Sequence, residues 1–347
     1  MLIWIATWNC ENQAPDDPML GNFINNEVNA LPVAQKPDFI VIALQEAVNI
    51  WKGDFVSQRL AKPKRLGNDY THLASSWVMG ITKGSKNYLQ VGVLAKNGAV
   101  VTNNSTNSYR EGMEGKGGAY VKFTSGGRRL GFIGAHLDSR NNTHRNSQIK
   151  GLLAKITGNN NTVTDVNLNA ALAAQFDVLF FMGDLNYRLT ATPGGPIDQG
   201  ITVGQIVQKI ATRAGRLQLW AQDTLRTSPL VTNYGFTFPQ IDHLLPTYKR
   251  EYTDKVPCTT LSTLLGAQPI NLGPSQQGFI EGCYFKGIPS NTAVPYNVGR
   301  EAFDLGWLDR IGYRDNGNHV PNAPTFHSYD NLVLSDHTPL LMKVTVV

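Results

Sequence analysis

Short apolar runs punctuate the chain, and several stop abruptly on a polar or charged side chain. Val178-Leu-Phe-Phe-Met182 has the length and composition of a fully buried strand. Gly183 breaks the run, and Asp184, Asn186 and Arg188 follow at alternate positions. Leu2–Thr7 is apolar and β-branched and ends in Trp8-Asn9. Phe39–Leu44, introduced by Pro37-Asp38, ends in Gln45-Glu46. Leu130–Ala135 ends in His136, and Asn331–Leu334 ends in Ser335-Asp336-His337.

Between these runs the pattern changes period. Tyr70–Gly80 alternates and is aromatic. Tyr88–Ala95 and Ala99–Thr102, separated by Lys96-Asn97-Gly98, predict a hairpin. Ala119–Phe123, Leu308–Tyr313 and Pro339–Val347 predict further strands. Helical spacing covers Arg145–Ile156, with Ile149, Leu152, Leu153 and Ile156 on one face. Phe23–Leu31, Leu168–Phe176, Val203–Ile210 and Leu217–Leu225 are shorter helical candidates. From Lys255 to about Gly299 the composition shifts to Pro, Gly, Asn, Gln and Thr, which predicts an insertion. Many short strands with irregularly interspersed helices fit a layered, sandwich-like α+β fold better than strict βαβ alternation.

Composition narrows this picture only slightly. A chain of 347 residues with 41% hydrophobic and 16% charged content is globular and can bury a sizeable core. No apolar stretch has the length that spans a bilayer. The opening residues read as a strand rather than a secretory signal. Cys10, Cys258 and Cys283 are too few and too scattered for a disulfide framework, and no CxxC spacing exists for zinc. Reduced thiols in a reducing compartment are expected. The net charge of +5 suits an anionic partner such as phosphate, nucleic acid or an acidic membrane surface.

Asn9, Glu46, His136, Asp184 with Asn186, and Asp336 with His337 therefore each terminate an apolar strand. Any one of them alone is an ordinary turn residue or helix cap. Strand ends on one edge of a sheet converge, however, and together they predict a cleft rich in carboxylates, amides and imidazoles. Oxygen donors without cysteine favour a hard cation, Mg²⁺ before Zn²⁺. His, Asn and Arg donate to anionic oxygens, and Asp184 can orient or deprotonate a water. Metal, anion donors and base are the parts needed for phosphoryl transfer to water.

Gly183-Asp-Leu-Asn-Tyr-Arg188, Gln45-Glu46, Ser335-Asp-His337 and Thr7-Trp-Asn9 resemble the inositol polyphosphate 5-phosphatase family of the endonuclease/exonuclease/phosphatase superfamily. Lys116-Gly-Gly118, His136-Leu137 with Arg145-Asn146, Leu219–Leu225, Pro246-Thr-Tyr-Lys249 and Trp307-Leu-Asp-Arg-Ile311 follow in the family's order across nearly the whole chain. The resemblance implies a four-layer α/β/β/α sandwich of the deoxyribonuclease I-like type. It implies a single catalytic domain over 1–347, with the insertion at 255–299. Glu46 would bind Mg²⁺ with Asn9 and Asp336 beside it. Asp184 would position the attacking water and accept its proton. His337, held by Asp309, would contact the phosphate, and His136 and Asn186 would grip its oxygens. Tyr248 and Lys249 match the segment that contacts the inositol 4-phosphate, and Lys116 sits in a loop that reaches another ring phosphate. Arg188 and Arg310 complete the substrate-facing set, Arg188 chiefly as a support.

The implied activity is removal of the 5-phosphate from phosphoinositides such as phosphatidylinositol 4,5-bisphosphate or 3,4,5-trisphosphate, from soluble inositol polyphosphates, or both. A monomer acting peripherally at the cytosolic face of membranes is the implied setting. A nuclease or sphingomyelinase-like phosphodiesterase on the same cleft is the alternative. No basic and aromatic stripe of the kind that tracks nucleic acid is evident, so no nucleic-acid partner is expected. Two positions depart from the family: the basic pair before Trp307 is missing, with Arg300 out of register, and Arg140 stands where the family has a second His.

Overall fold

Side chains alternate across a strand, so apolar runs buried on both faces imply sheets covered on both sides. The computed structural model describes residues 1–14, 20–48, 60–62, 65–82, 85–111, 116–160, 162–241, 243–250, 273–297, 302–329 and 335–347. Its first sheet contains β1 (Leu2–Asn9), β2 (Phe39–Ala47), β3 (Tyr70–Thr82), β4 (Ser85–Lys96), β12 (Thr325–Ser328) and β13 (Leu340–Thr345), in the order β12-β13-β1-β2-β4-β3. The second contains β5 (Val101–Glu111), β6 (Lys116–Ser125), β7 (Arg128–His136), β8 (Val178–Asp184) and β11 (Asp309–Asp315), in the order β11-β8-β7-β6-β5. A two-stranded ribbon pairs β9 (Tyr296–Asn297) with β10 (Ala302–Phe303).

Two strand pairs are parallel, β1 with β2 and β7 with β8. A parallel pair needs a long crossover, usually helical. Helix α1 (Leu20–Asn29) lies in the first crossover, and α2 (Asn142–Thr157) and α3 (Asp165–Gln175) in the second. Ile24 and Val28 of α1 pack on Trp4, Ala6, Trp8, Ile40 and Ile42, the outward face of the first sheet. Ile149, Leu152, Leu153 and Leu168 cover Ile133, Ala135, Leu179 and Phe181 on the outward face of the second. The remaining faces meet each other, with Ile3, Ile5, Val41 and Val93 against Val121, Phe132, Phe180 and Met182. The result is the expected four-layer sandwich of the deoxyribonuclease I-like type.

The expected hairpin does not form. β4 lies between β2 and β3, so both its edges are taken. The chain instead crosses to the second sheet, where β5 pairs with β6. The strand expected at 331–334 and residues 255–272 lie outside the described residues. The described remainder of the expected insertion carries a helix, Pro274–Tyr284, whose Ile280, Cys283 and Tyr284 are buried in the cluster that holds Ile201, Val203 and Ile206. It is packed structure. Cys283 is disulfide-bonded, contrary to the expectation of reduced thiols, and Cys10 is free and buried. Disulfides persist in oxidising rather than reducing surroundings. Among the described residues no helix is long and apolar enough to cross a membrane.

Gly183 is the tightest point in this frame. It sits opposite Ala135 in the β7–β8 ladder, at φ 133°, and a Cβ there would lie 1.9 Å from the Ala135 carbonyl oxygen. Both the backbone conformation and the space demand glycine. Gly183→Ala is expected to cost about 3 kcal/mol or more of stability. An unchanged denaturant midpoint in that variant would contradict the assigned strain.

Candidate active site

Strand direction brings the chemistry to one end of the sandwich. The parallel pairs β1–β2 and β7–β8 deliver their carboxyl ends there, and the antiparallel β6, β11 and β13 begin there. Register then sets the rows. In the second sheet Gly117 is level with His136, His136 with Asp184, and Asp184 with Asp309. In the first sheet Asn9 is level with Gln45. Glu46 needs an extra device. The β2–β4 register shifts between Leu44 and Ala47, and Glu46 has φ 50°. Such a bulge re-aims a side chain, here into the space next to His136. Glu11, Asn12 and Asn186 also have positive φ, at 46°, 60° and 55°. Left-handed non-glycine residues cost on the order of 1–3 kcal/mol each and gather where a site is being shaped.

The cavity so formed has a volume of about 190 Å³ and is lined by Asn9, Glu11, Glu46, Lys116, His136, Ser139, Asp184, Asn186, Arg188, Tyr248, Asp336 and His337. Asp184 is its hub. Its Oδ2 accepts from Asn9 Nδ2 at 3.0 Å and lies 3.4 Å from His136 Nε2 and 3.9 Å from His337 Nε2. Its Oδ1 accepts from the Asn186 backbone N–H at 3.1 Å. His136 Nε2 is also 3.6 Å from Glu46 Oε1 and touches Lys116 Nζ. Behind His337, the fully buried Asp309 holds Nδ1 through Oδ2 at 2.8 Å. The Tyr248 ring lies against His337 with centroids 4.5 Å apart, and the Arg188 guanidinium sits 5.0 Å from the Tyr248 centroid. Arg188 Nη2 donates to Asn186 Oδ1, and Asn186 Nδ2 donates to the Leu137 carbonyl at 3.0 Å. Ser335 Oγ donates to the Asn9 carbonyl at 2.7 Å, which ties the loop before β13 to the end of β1.

The electrostatics follow from this crowding. Burial works to raise Asp184, but His337, His136 and Lys116 outweigh it and hold the carboxyl well below the usual carboxylate range. Burial also opposes a charged His337, yet Asp309, Asp184 and Asp336 push its imidazole up to about 10. Asp336 is pushed up to about 6, chiefly by burial, with Glu11 and Asp184 adding to the rise. Burial raises Tyr248 to about 12, so its hydroxyl stays protonated. The cavity thus contains an ionised, poorly solvated carboxylate beside a cationic imidazole.

Most of the expected site residues meet here, and two do not. Arg310 is 1% exposed and lies away from the cavity. It pairs with the buried Asp223 and sits 4.5 Å from the Trp220 ring centroid and 5.9 Å from that of Trp307. The structure thus places Arg310 outside the described lining of the cavity, packed among Asp223, Trp220 and Trp307. Lys249 lines an adjacent cleft instead of the catalytic cavity. Glu11 and Ser139 line the cavity without having been anticipated. Glu11 follows Asn9 by two positions and accepts from the Asp336 backbone N–H at 3.1 Å. An acid two residues beyond a strand-end amide was the available signal.

Residues 6–262 match the model of endonuclease/exonuclease/phosphatase family 2, and the chain belongs to that family. It is accordingly a hydrolase of the endonuclease/exonuclease/phosphatase superfamily. Its structure is similar to that of the inositol polyphosphate 5-phosphatase domain of SPsynaptojanin, solved in complex with inositol (1,4)-bisphosphate and calcium ion. Identity is 18% over 99% of this chain and 84% of that one, with a TM-score of 0.60. It is also similar to the Cimex nitrophorin ferrous NO complex, at 17% identity over 100% of this chain and 99% of that one, with a TM-score of 0.57. No curated protein matches the sequence. At such identities the likeness is one of fold, and the side chains of the site must carry any statement about chemistry.

Arg310→Met separates a packing role from a substrate contact. It leaves Asp223 buried without its partner and is expected to cost about 3–5 kcal/mol of stability. A variant of wild-type stability with a raised KM would instead restore Arg310 to the substrate-binding set.

Proposed function

We propose that the chain is a divalent-cation-dependent phosphatase that removes the 5-phosphate from phosphoinositides or soluble inositol polyphosphates. The observation that carries this is the buried Asp184 carboxylate, 3.9 Å from His337 Nε2 and 3.0 Å from Asn9 Nδ2, with Asp309 fixing the far side of the imidazole. Asp184 would orient a water and take its proton as that water approaches phosphorus. His337, His136 and Asn186 would donate to the non-bridging oxygens, where charge changes most in the transition state. The imidazolium of His337 is suited to that task because Asp309 keeps it both charged and oriented.

The donor set fits a hard cation. Among the described residues, Glu11, Glu46, Asp184 and Asp336 bring four carboxylates into one cavity, against Lys116 and Arg188, with no sulfur ligand. Among the described residues no three His, Cys, Asp or Glu side chains form a ready-made metal cage. Mg²⁺ matches that arrangement, because it keeps several waters and takes one or two carboxylates together with substrate oxygens. Glu46, Asn9 and Asp336 would hold it. When bound, the ion would neutralise phosphate charge that otherwise repels an incoming water. The net charge of +5 would favour an anionic lipid surface as the place of action.

The test is phosphate release from phosphatidylinositol 4,5-bisphosphate and inositol trisphosphate, with supercoiled plasmid as a third substrate, in Mg²⁺ or EDTA. Release in Mg²⁺ alone is expected, and Asp184→Asn should lower the rate roughly 10²–10⁴-fold while leaving the circular dichroism spectrum unchanged. Plasmid nicking without phosphate release would replace this proposal with a phosphodiesterase. A wild-type rate in Asp184→Asn would refute the role given to that residue.

A further inference from the structure

Asp309 and His337 belong to separate parts of the chain: Asp309 opens β11, and His337 lies in the segment before β13. Their 2.8 Å bond requires the distance between those parts to be fixed. Residues 246–250 run between them. On one side the Tyr248 N–H donates to the Gly306 carbonyl at 3.0 Å, and the Gly306 N–H donates to that of Tyr248 at 2.8 Å. On the other the Thr338 N–H donates to the Thr247 carbonyl at 2.9 Å, and the Arg250 N–H to that of Asp336 at 3.0 Å. Bonded on both edges, the segment acts as a short middle strand.

Thr247 is the residue at which the two sides meet. It is fully buried. Its carbonyl holds the residue next to His337, and its hydroxyl oxygen accepts from the Asp309 N–H at 3.2 Å. The same hydroxyl is near enough to the Asp309 carboxylate to stabilise its charge. A buried N–H needs an acceptor, and for Asp309 a side chain supplies it. Valine has the shape of threonine but nothing to accept that bond. Tyr248, the next residue, lays its ring against His337 with centroids 4.5 Å apart.

We propose that Thr247 is a positioning residue for the Asp309–His337 pair. Its hydroxyl fixes Asp309, its carbonyl fixes the segment of His337, and the imidazole is thereby kept aimed into the cavity. This deepens the phosphatase reading above and rests on it for the turnover measurement alone. Thr247 touches no substrate, so its loss belongs in kcat and not in KM.

Thr247→Val removes the hydroxyl and keeps the shape, whereas Thr247→Ser keeps the hydroxyl. With inositol 1,4,5-trisphosphate in Mg²⁺, kcat is expected to fall roughly 10–100-fold in Thr247→Val at unchanged KM, and to stay within about threefold of wild type in Thr247→Ser. A second readout needs no turnover: the low-field proton NMR resonance of His337 Nδ1–H, identified by its loss in His337→Gln. It is expected in wild type and Thr247→Ser, and shifted or broadened away in Thr247→Val while the amide spectrum elsewhere is retained. An unshifted resonance in Thr247→Val, a wild-type kcat there, or a change confined to KM overturns the assignment. An equal loss of kcat in Thr247→Ser would credit the methyl group and overturn it too. If wild type releases no phosphate, the phosphatase reading fails and the resonance alone decides Thr247. Should Thr247→Val not fold, Thr247→Ala is read in the same way.

Discussion

The site depends on one electrostatic arrangement: a buried carboxylate, Asp184, kept ionised by the cations packed round it. An isolated carboxylate in such surroundings would take up a proton, because burial penalises its charge. His337, His136 and Lys116 reverse that outcome, and Asp309 in turn keeps His337 charged. Each group lies on a different strand or loop, so the arrangement exists only when both sheets are assembled. Gly183 lets β8 approach β7 closely enough to bring Asp184 level with His136. Ser335 ties the His337 loop to the end of β1. Folding and chemistry meet at the same few residues.

Much of this was legible in the sequence, because buried strands announce themselves as apolar runs and their last residues as breaks in the pattern. Asn9, Glu46, His136, Asp184 and His337 were all visible in that way, and the structure gathers them round one cavity. What local pattern could not show is which edge of a strand is free. Tyr88–Ala95 looks like one arm of a hairpin, but long-range pairing with β2 and β3 occupies both its edges. The bulge that aims Glu46 is likewise a property of the β2–β4 pair and leaves no mark in the residues themselves.

The two misplaced cations share one cause. Successive side chains of an extended segment point to opposite faces. Asp309 turns toward His337, so Arg310 must turn away, where Asp223, Trp220 and Trp307 enclose it. Tyr248 lies against His337, so Lys249 is delivered to the neighbouring cleft. A motif read as a contiguous block assigns both neighbours to one site, and the pleat of the chain divides them.

The central claim is that Asp184 is a buried carboxylate that stays ionised without help from a bound metal. Carbon-13 NMR of the Asp184 carboxyl, followed in EDTA from about pH 4 to about pH 8, tests it directly. A chemical shift that stays at the carboxylate value throughout is the predicted result. A titration step above about pH 4.5 would show a protonated acid governed by burial alone and would contradict the account.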